Sequence, residues 1–584
     1  MPGRLPREVL FCLSIWFGVS AVFFALASVP AFSPPWLVPV TPPRFAVIQF
    51  WWPWMAGLFI LVSLILIVPS TWEWQRRRVR SLREISVSHR NLFLLLAAAT
   101  LLRLTLVMRG GQYFDWDEVR YGGSGTWMFA YVSTGHLGGA LDLLLRAPDH
   151  PAFRIVSLVP AFFHVVSAWP TGLPITEMRY PTGEWLPAFL LSFASVASIG
   201  LTYAIAIRAG ASRRESFLAA FLMFASSSML IYAQHFFPYD AALALFLFAL
   251  WLGMKHAVRT RRSFGVGLLC GFAFLTYEGY WMMAALVAAI HVSRKPLSLS
   301  AAAIRAVVFA AGALVFPALL VIAGRLSGRP FLQTFERFSR SAVNGDFSEG
   351  WSLPWNYLWS VEHVQLAVYL VGIVLFLAHR LRHREAKYGF TWLAAAAAMY
   401  CGLGVGSNVL HRFVVYDRLV RQMLPFMCLT AAAGFCSRLA SRARTYTLYG
   451  LITLLFAVNV VPLMTQRYPR DIAREMVRRY GAANVRLDTV VRHSNDATVP
   501  IFLPVQREEP DEPANARRYV LLNAKDIWVP EGASESAPPP AGKVLFEARH
   551  PRQLESMQYH GYRPEERAFL RSVDLSIKLI DTQD

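Results

Sequence analysis

The chain has 584 residues, 55% of them hydrophobic and only 16% charged, and it carries a formal net charge of +20. That composition excludes an ordinary soluble globular protein and points to an α-helical polytopic membrane protein. The positive charge falls mostly in short loops between apolar runs, so it reports topology and the anionic inner leaflet and not a nucleic-acid patch.

About thirteen apolar runs approach or exceed the length that crosses a hydrocarbon core. The first two, near 9–29 and 47–69, form an N-terminal two-helix membrane extension over residues 1–90. The first run has no small-residue cleavage site and ends at "VPAFSPPW", so it reads as a retained span rather than a signal peptide. Spans near 91–108, 185–207, 215–233, 241–254, 264–276 and 279–293 follow. The last five lie near 302–324, 364–379, 389–406, 423–437 and 447–465. Residues 91–466 would thus be one membrane domain with two long loops, 109–184 and 325–363.

Every second connection is basic: "QRRRVRSLR", Arg208 with "SRR", "KHAVRTRR", "SRKP", "HRLRHREAK" and "SRLASRAR". Short basic loops stay cytoplasmic, which puts the N-terminus inside a plasma (inner) membrane and the long loops outside. The apolar stretch "AFRIVSLVPAFFHVVSAW" is read as an in-plane interfacial helix, because another crossing would invert every later loop. Residues 467–584 become less hydrophobic and contain the strand-like runs "RYVLLNA", "KVLFEA" and "LSIKLID". They predict a small extracytoplasmic α/β domain. All five cysteines fall in predicted spans, so neither a disulfide framework nor a Cys-x-x-Cys metal site is expected.

The stretch "GGQYFDWDEVRYGG" places Asp115, Asp117 and Glu118 beside an apolar helix among aromatic residues. Carboxylates at the mouth of a helical bundle are costly to desolvate and usually face a cavity or a polar ligand. One such acid can receive a proton from a reacting group while a neighbour orients it. Glycines follow an apolar helix here rather than a strand, which excludes a dinucleotide fingerprint.

The segment Asp117-Glu118-Val119-Arg120-Tyr121 resembles the "DE-x-RY" signature of GT-C membrane glycosyltransferases, especially protein O-mannosyltransferases and lipid A aminoarabinose transferases. The resemblance continues, in order, through "DHPAFRIVSLVPAFF", "EWLPAFLLSFASVASIGLTYAIA", "YAQHFFPYDAALALFLFAL" with Asp240, "VGLLCGFAFLTYEGYWMMAALVAA" and "DRLVRQMLPFMCLTAAAGF". It covers residues 91 to 437. Two positions depart from the family pattern: Asp149-His150-Pro151 stands where a lysine precedes two prolines, and Tyr277-Glu278 where a lysine follows "LT".

The resemblance implies transfer of a sugar from a polyprenyl-phosphate donor to a lipid, glycan or protein acceptor at the outer face. Asp117 is then the expected general base, with Glu118 or Asp240 orienting it. Arg412, Arg418 and Arg421 in "HRFVVYDRLVRQ" would stabilise the departing phosphate, with Arg337 and Arg340 as weaker candidates. Asp115, Arg120, Tyr121, His150 and Glu278 complete the expected substrate-binding set. No cofactor is required by the sequence; a divalent metal at Asp115 and Asp117 is compatible with it, and the metal site is unknown. Snorkelling is the plain alternative for each arginine. The competing function is a transporter or lipid flippase, which would favour inverted repeats and charged mid-membrane helices; a non-catalytic scaffold would leave the first-loop acids replaceable.

The loop pattern predicts that positions 120 and 540 lie on the same side of the membrane. Cysteine-accessibility labelling of Arg120→Cys and Pro540→Cys in intact cells should modify both, and opposite sidedness would overturn the topology.

Overall fold

In the computed structural model the described residues are 79–108, 116–133, 136–146, 150–161, 185–254, 260–294, 298–329, 331–333, 335–336, 347–382, 387–438 and 442–465. To these are added 14, 18, 57, 60, 61 and 63 before them, and 476, 479–481, 484–487, 519–523, 541–549 and 576–582 after them. Most of the described chain is helical. Helices α1 (Val79–Met108), α2 (Trp116–Ser133), α3 (Leu137–Arg146), α4 (Pro151–Val156) and α5 (Trp185–Ala209) come first. Then follow α6 (Arg213–Phe224), α7 (Ser227–Ile231), α8 (Tyr239–Gly253), α9 (Thr260–Thr276), α10 (Trp281–Val292) and α11 (Leu299–Leu326). The remainder are α12 (Leu353–Glu362), α13 (Val364–Arg382), α14 (Lys387–Gly404), α15 (Asp417–Val420), α16 (Leu424–Arg438) and α17 (Arg442–Thr465).

Among the described residues, six helical stretches are long and apolar enough to cross a membrane: Arg90–Met108, Pro187–Ala209, Leu299–Leu326, Val364–Leu381, Gly389–Val409 and Asp417–Arg438. Tyr239–Gly253, Glu278–Val292 and Thr445–Val461 are shorter apolar helices. Helix α1 runs across the boundary drawn at residue 90. The expected fifth span, 215–233, is broken: α6 ends at Phe224, and α7 and a 3-10 turn over Tyr232–Gln234 carry the chain onward. Three consecutive serines, 226–228, lie at this break, where hydroxyls compete with the helical ladder. Only the start of the expected interfacial helix, to Ala161, lies among the described residues.

Local chemistry accounts for several helix starts. Ser212 and Glu215 form a reciprocal capping box at α6, and Ser298 caps α11 by accepting from the Ala301 N–H at 3.3 Å. Packing joins α1 to α5, α5 to α8, α8 to α9, and α16 to α6, α13 and α14. Their buried side chains form one apolar cluster, including Phe246, Tyr369, Trp392 and Phe426.

Near its C-terminus the chain forms a four-stranded sheet, ordered β1-β2-β4-β3, from Val485–Leu487, Tyr519–Asn523, Lys543–Arg549 and Ser576–Asp581. β1 pairs parallel with β2, while β4 pairs antiparallel with both β2 and β3. The three strand-like runs read from sequence are β2, β3 and β4.

The α9–α11 pair approaches backbone to backbone. A Cβ at Gly267 would strike the Phe309 carbonyl, one at Gly271 the Ala313 carbonyl, and one at Gly312 the Phe264 carbonyl. Small residues permit this approach, which gains dispersion contacts that a lipid environment does not otherwise reward. Gly271→Ala should therefore lower thermal stability in detergent by about 1–3 kcal/mol. Gly265→Ala, on the same helix but with nothing within 4 Å of its Cβ, should be neutral or stabilising. Equal melting of the two variants would refute the packing assignment.

Candidate functional site

The break between α6 and α8 and the 3-10 turn between α9 and α10 bring polar side chains from remote segments together. Glu118, in the first turns of α2, is fully buried. Its carboxylate accepts from the Phe236 N–H at 2.7 Å and faces His235 Nδ1 at 3.1 Å. Buried carboxylates persist only when so satisfied. These bonds tie α2 to the loop before α8.

His150 and Glu278, one from each of the segments Asp149-His150-Pro151 and Tyr277-Glu278, contact each other. Glu278 accepts from the His150 backbone N–H at 3.2 Å and pairs with its Nδ1. On the other side of the ring, Nε2 lies 3.0 Å from the Tyr121 hydroxyl. His150 has φ 51 and ψ 54 and is followed by Pro151 at the start of α4. That left-handed conformation is uncommon for a side-chain-bearing residue.

Asp240, in the first turn of α8, forms an ion pair with Arg421. Arg421 is fully buried and its guanidinium lies 4.3 Å from the centroid of the Tyr232 ring. Its Nε and Nη1 have no hydrogen-bond partner among the described residues. Tyr232 in turn donates to Asp417. Arg418 is half-buried; it donates to the Tyr239 hydroxyl at 2.8 Å and lies over the Tyr416 ring at 4.7 Å. Tyr239 meets Tyr232 and Tyr277 edge-on, at 5.3 and 4.8 Å, and Tyr277 meets the His150 ring at 5.1 Å. The three polar groups are thereby joined by aromatic rings into one region.

Of the site residues expected from sequence, Glu118, Tyr121, His150, Asp240, Glu278, Arg418 and Arg421 belong to this region. Arg412 does not join it through any described side-chain contact; it is exposed, and its backbone N–H donates to the Gly406 carbonyl at 2.9 Å. Asp117 and Arg120 are described by backbone alone, in α2; Asp115, Arg337 and Arg340 lie outside the described residues. Among the described residues no group of three or more His, Cys, Asp or Glu side chains is placed to hold a metal ion.

Three contributors escaped the sequence reading. Arg103 is fully buried in α1 and donates to Ser195 Oγ at 2.8 Å and to the Ala99 carbonyl at 3.2 Å. An arginine inside an apolar run is itself a signal, since such a charge must find partners. Asp417 stood unremarked between the arginines of its segment. Glu362, fully buried at the end of α12, accepts from Ser226 Oγ at 2.6 Å, the Ser227 N–H at 3.0 Å and the Ser228 N–H at 2.9 Å. Burial raises its carboxyl above the usual carboxylate range, and these hydrogen bonds offset only part of that rise.

Neither a protein-family model nor a curated protein matches the chain.

The two central arginines differ in what their removal should do. Arg421→Ala would leave Asp240 buried without its partner, which costs about 3–5 kcal/mol. Folded yield should fall, and Asp240→Asn introduced with Arg421→Ala should restore part of it. Arg418→Ala, at a half-buried position, should leave yield almost intact. Size-exclusion recovery after detergent extraction measures all three, and a fully recovered Arg421→Ala single variant would show that the ion pair contributes little to the fold.

Proposed function

We propose that this chain is an integral membrane glycosyltransferase of the GT-C type, moving a sugar from a polyprenyl-phosphate donor to a lipid, glycan or protein acceptor at the outer face of the membrane. The observation that carries this reading is Arg421: a buried guanidinium tethered to Asp240 through one nitrogen, with Nε and Nη1 unpaired among the described residues. A transferred sugar leaves behind a lipid phosphate, and preorganised cations lower the barrier by meeting its developing charge. Arg418 adds a second cation three residues away, oriented by Tyr239. The ordered resemblance of residues 91 to 437 to the family supports the same assignment.

In this reading the chain crosses the membrane about thirteen times, N-terminus inside, with the sheet-containing region outside as a small α/β domain. Asp117 receives the acceptor's proton as its oxygen attacks the anomeric carbon. Glu118 holds rather than reacts: its carboxylate is engaged by His235 and Phe236, so it anchors the first turns of α2. The Asp240–Arg421 pair fixes the cation that faces phosphate, and Arg418 supplies a second contact. The aromatic faces of Tyr232, Tyr239 and Tyr277 suit a lipid-linked ligand with one apolar and one polar part.

Transfer of labelled sugar from purified polyprenyl-phosphate donor tests the proposal. Asp117→Asn removes the base while keeping size, so turnover should fall roughly 10²–10⁴-fold. Asp115→Asn should be much milder. Arg418→Ala should weaken donor use by about 1.5–3 kcal/mol, the worth of a charge-assisted contact. Wild-type turnover by Asp117→Asn would remove that residue from the catalytic role, and absence of transfer alongside substrate movement across proteoliposomes would favour the transporter.

A further inference from the structure

At the end of α9 away from Glu278, five helices bring their termini together around arginine. Arg208, in the last turn of α5, crosses to α8: its guanidinium lies 3.8 Å from the centroid of the Trp251 ring and donates to the Trp251 carbonyl. Two residues on, the Gly253 carbonyl lies 3.1 Å from Nδ1 of His291, and Nε2 of the same ring lies 2.9 Å from Ser263 Oγ. His291 is fully buried in α10, so one ring joins the end of α8, the start of α9 and the end of α10. That ring also lies 6.3 Å from the ring of Phe309 in α11.

Four arginines are held by this frame. Besides Arg208, Arg262 adjoins Ser263, Arg294 follows His291 by three residues, and Arg305 precedes Phe309 by one turn of α11. Arg262 and Arg294 act electrostatically on Arg208, and Arg262, Arg294 and Arg305 act on His291. Cations within reach of one another repel, and an anion between them removes that cost. The sequence around them is poor in negative charge: residues 241–310 contain seven lysines and arginines and a single acid, Glu278, roughly 20 Å away along α9. Glu215, the next acid after Arg208, is engaged in the capping box of α6.

Snorkelling does not describe this arrangement, because a snorkelling arginine extends toward water. Arg208 instead turns onto a neighbouring helix, and Arg305, nearly two turns inside the Leu299–Leu326 span, is 6% exposed. The cluster is still open to a ligand, since Arg208, Arg262 and Arg294 are only half-buried. Close to them in the chain, α9 and α11 carry Phe264, Ile304 and Val307, exposed by 41, 58 and 68%. Cations beside exposed apolar side chains match a molecule that is anionic at its head and hydrocarbon behind it.

We infer that Arg208, Arg262, Arg294 and Arg305 form a binding site for the phosphate headgroup of an anionic phospholipid, at the end of the bundle that the basic-loop pattern assigns to the cytoplasm. The arginines take the phosphate by charge-assisted hydrogen bonds, and the acyl chains run along Phe264, Ile304 and Val307. The lipid thereby holds together helix ends whose charges otherwise repel. The inference does not depend on what the chain catalyses.

Thermal unfolding of the purified full chain in dodecyl maltoside tests this, because a ligand that binds the folded state raises the melting temperature as its site fills. Phosphatidylglycerol should stabilise the wild-type protein saturably, whereas phosphatidylcholine and inorganic phosphate should have little effect. Arg208→Gln and Arg294→Gln should each raise the half-saturating phosphatidylglycerol concentration about tenfold. Each titration is read as the shift from that variant's own lipid-free melting point, and the buried Arg305 is left in place. Arg325→Gln, exposed at the other end of α11, removes the same charge and should leave the titration unchanged. Equal stabilisation by phosphatidylcholine, an equal loss in Arg325→Gln, or unchanged titrations in both Arg208→Gln and Arg294→Gln would overturn the inference. Inorganic phosphate stabilising as well as the lipid would assign the site to a soluble anion and overturn it too.

Discussion

Arg421 and Asp240 impose the central constraint of this structure. A guanidinium and a carboxylate moved out of water each lose several kcal/mol of hydration, and their mutual attraction returns that only when the geometry is tight and the surroundings are polar. The surroundings supplied are the face of Tyr232, the sulfur of Met229 and a second buried arginine, Arg103. Asp240 can begin α8 there because a carboxylate in the first turn also meets the positive end of the helix. Arg421 can sit at the foot of α16 because a 3-10 turn between α15 and α16 tightens the backbone at that point. Both helices enter the bundle from positions that this pair dictates.

Four other acids, Glu118, Glu278, Asp417 and Glu362, obey the same rule with different partners. Glu118 takes a backbone N–H and a histidine, Glu278 a histidine twice, Asp417 a tyrosine hydroxyl, and Glu362 three donors from a serine triplet. Each partner lies on a break or a loop rather than in a helix interior, since only there does the backbone have unspent N–H groups. Breaks and acids therefore occur together. Polar networks satisfied to this degree hold their members in one arrangement, which is what a reacting group requires of its neighbours.

The helical character was plain in the sequence because apolar runs of spanning length leave few alternatives, and the three later strands were plain from their alternation. The interruption at residues 225–238 was not, because hydropathy averages over a window and sees "FLMFASSSMLIYA" as continuous. Glu118, Asp240 and Arg421 were found as members of motifs. Their pairings were not, because His235 to Glu118 is a separation of 117 residues and Arg421 to Asp240 one of 181, and nothing local in a sequence encodes such distances. Arg103 and Glu362 were passed over for the opposite reason: each is a lone charge within or beside an apolar run, and no motif drew attention to it.

The two departures from the family pattern acquire a joint meaning once their positions in space are known. Considered separately, Asp149-His150-Pro151 and Tyr277-Glu278 each lack the lysine of the GT-C pattern that the sequence resembles, which would weaken recognition of any phosphate. Together the replacements face each other, and Glu278 spends its charge on the His150 ring and backbone. Phosphate stabilisation in the proposed reaction falls to Arg418 and Arg421, which meet the His150 side through the Tyr239–Tyr277 contact.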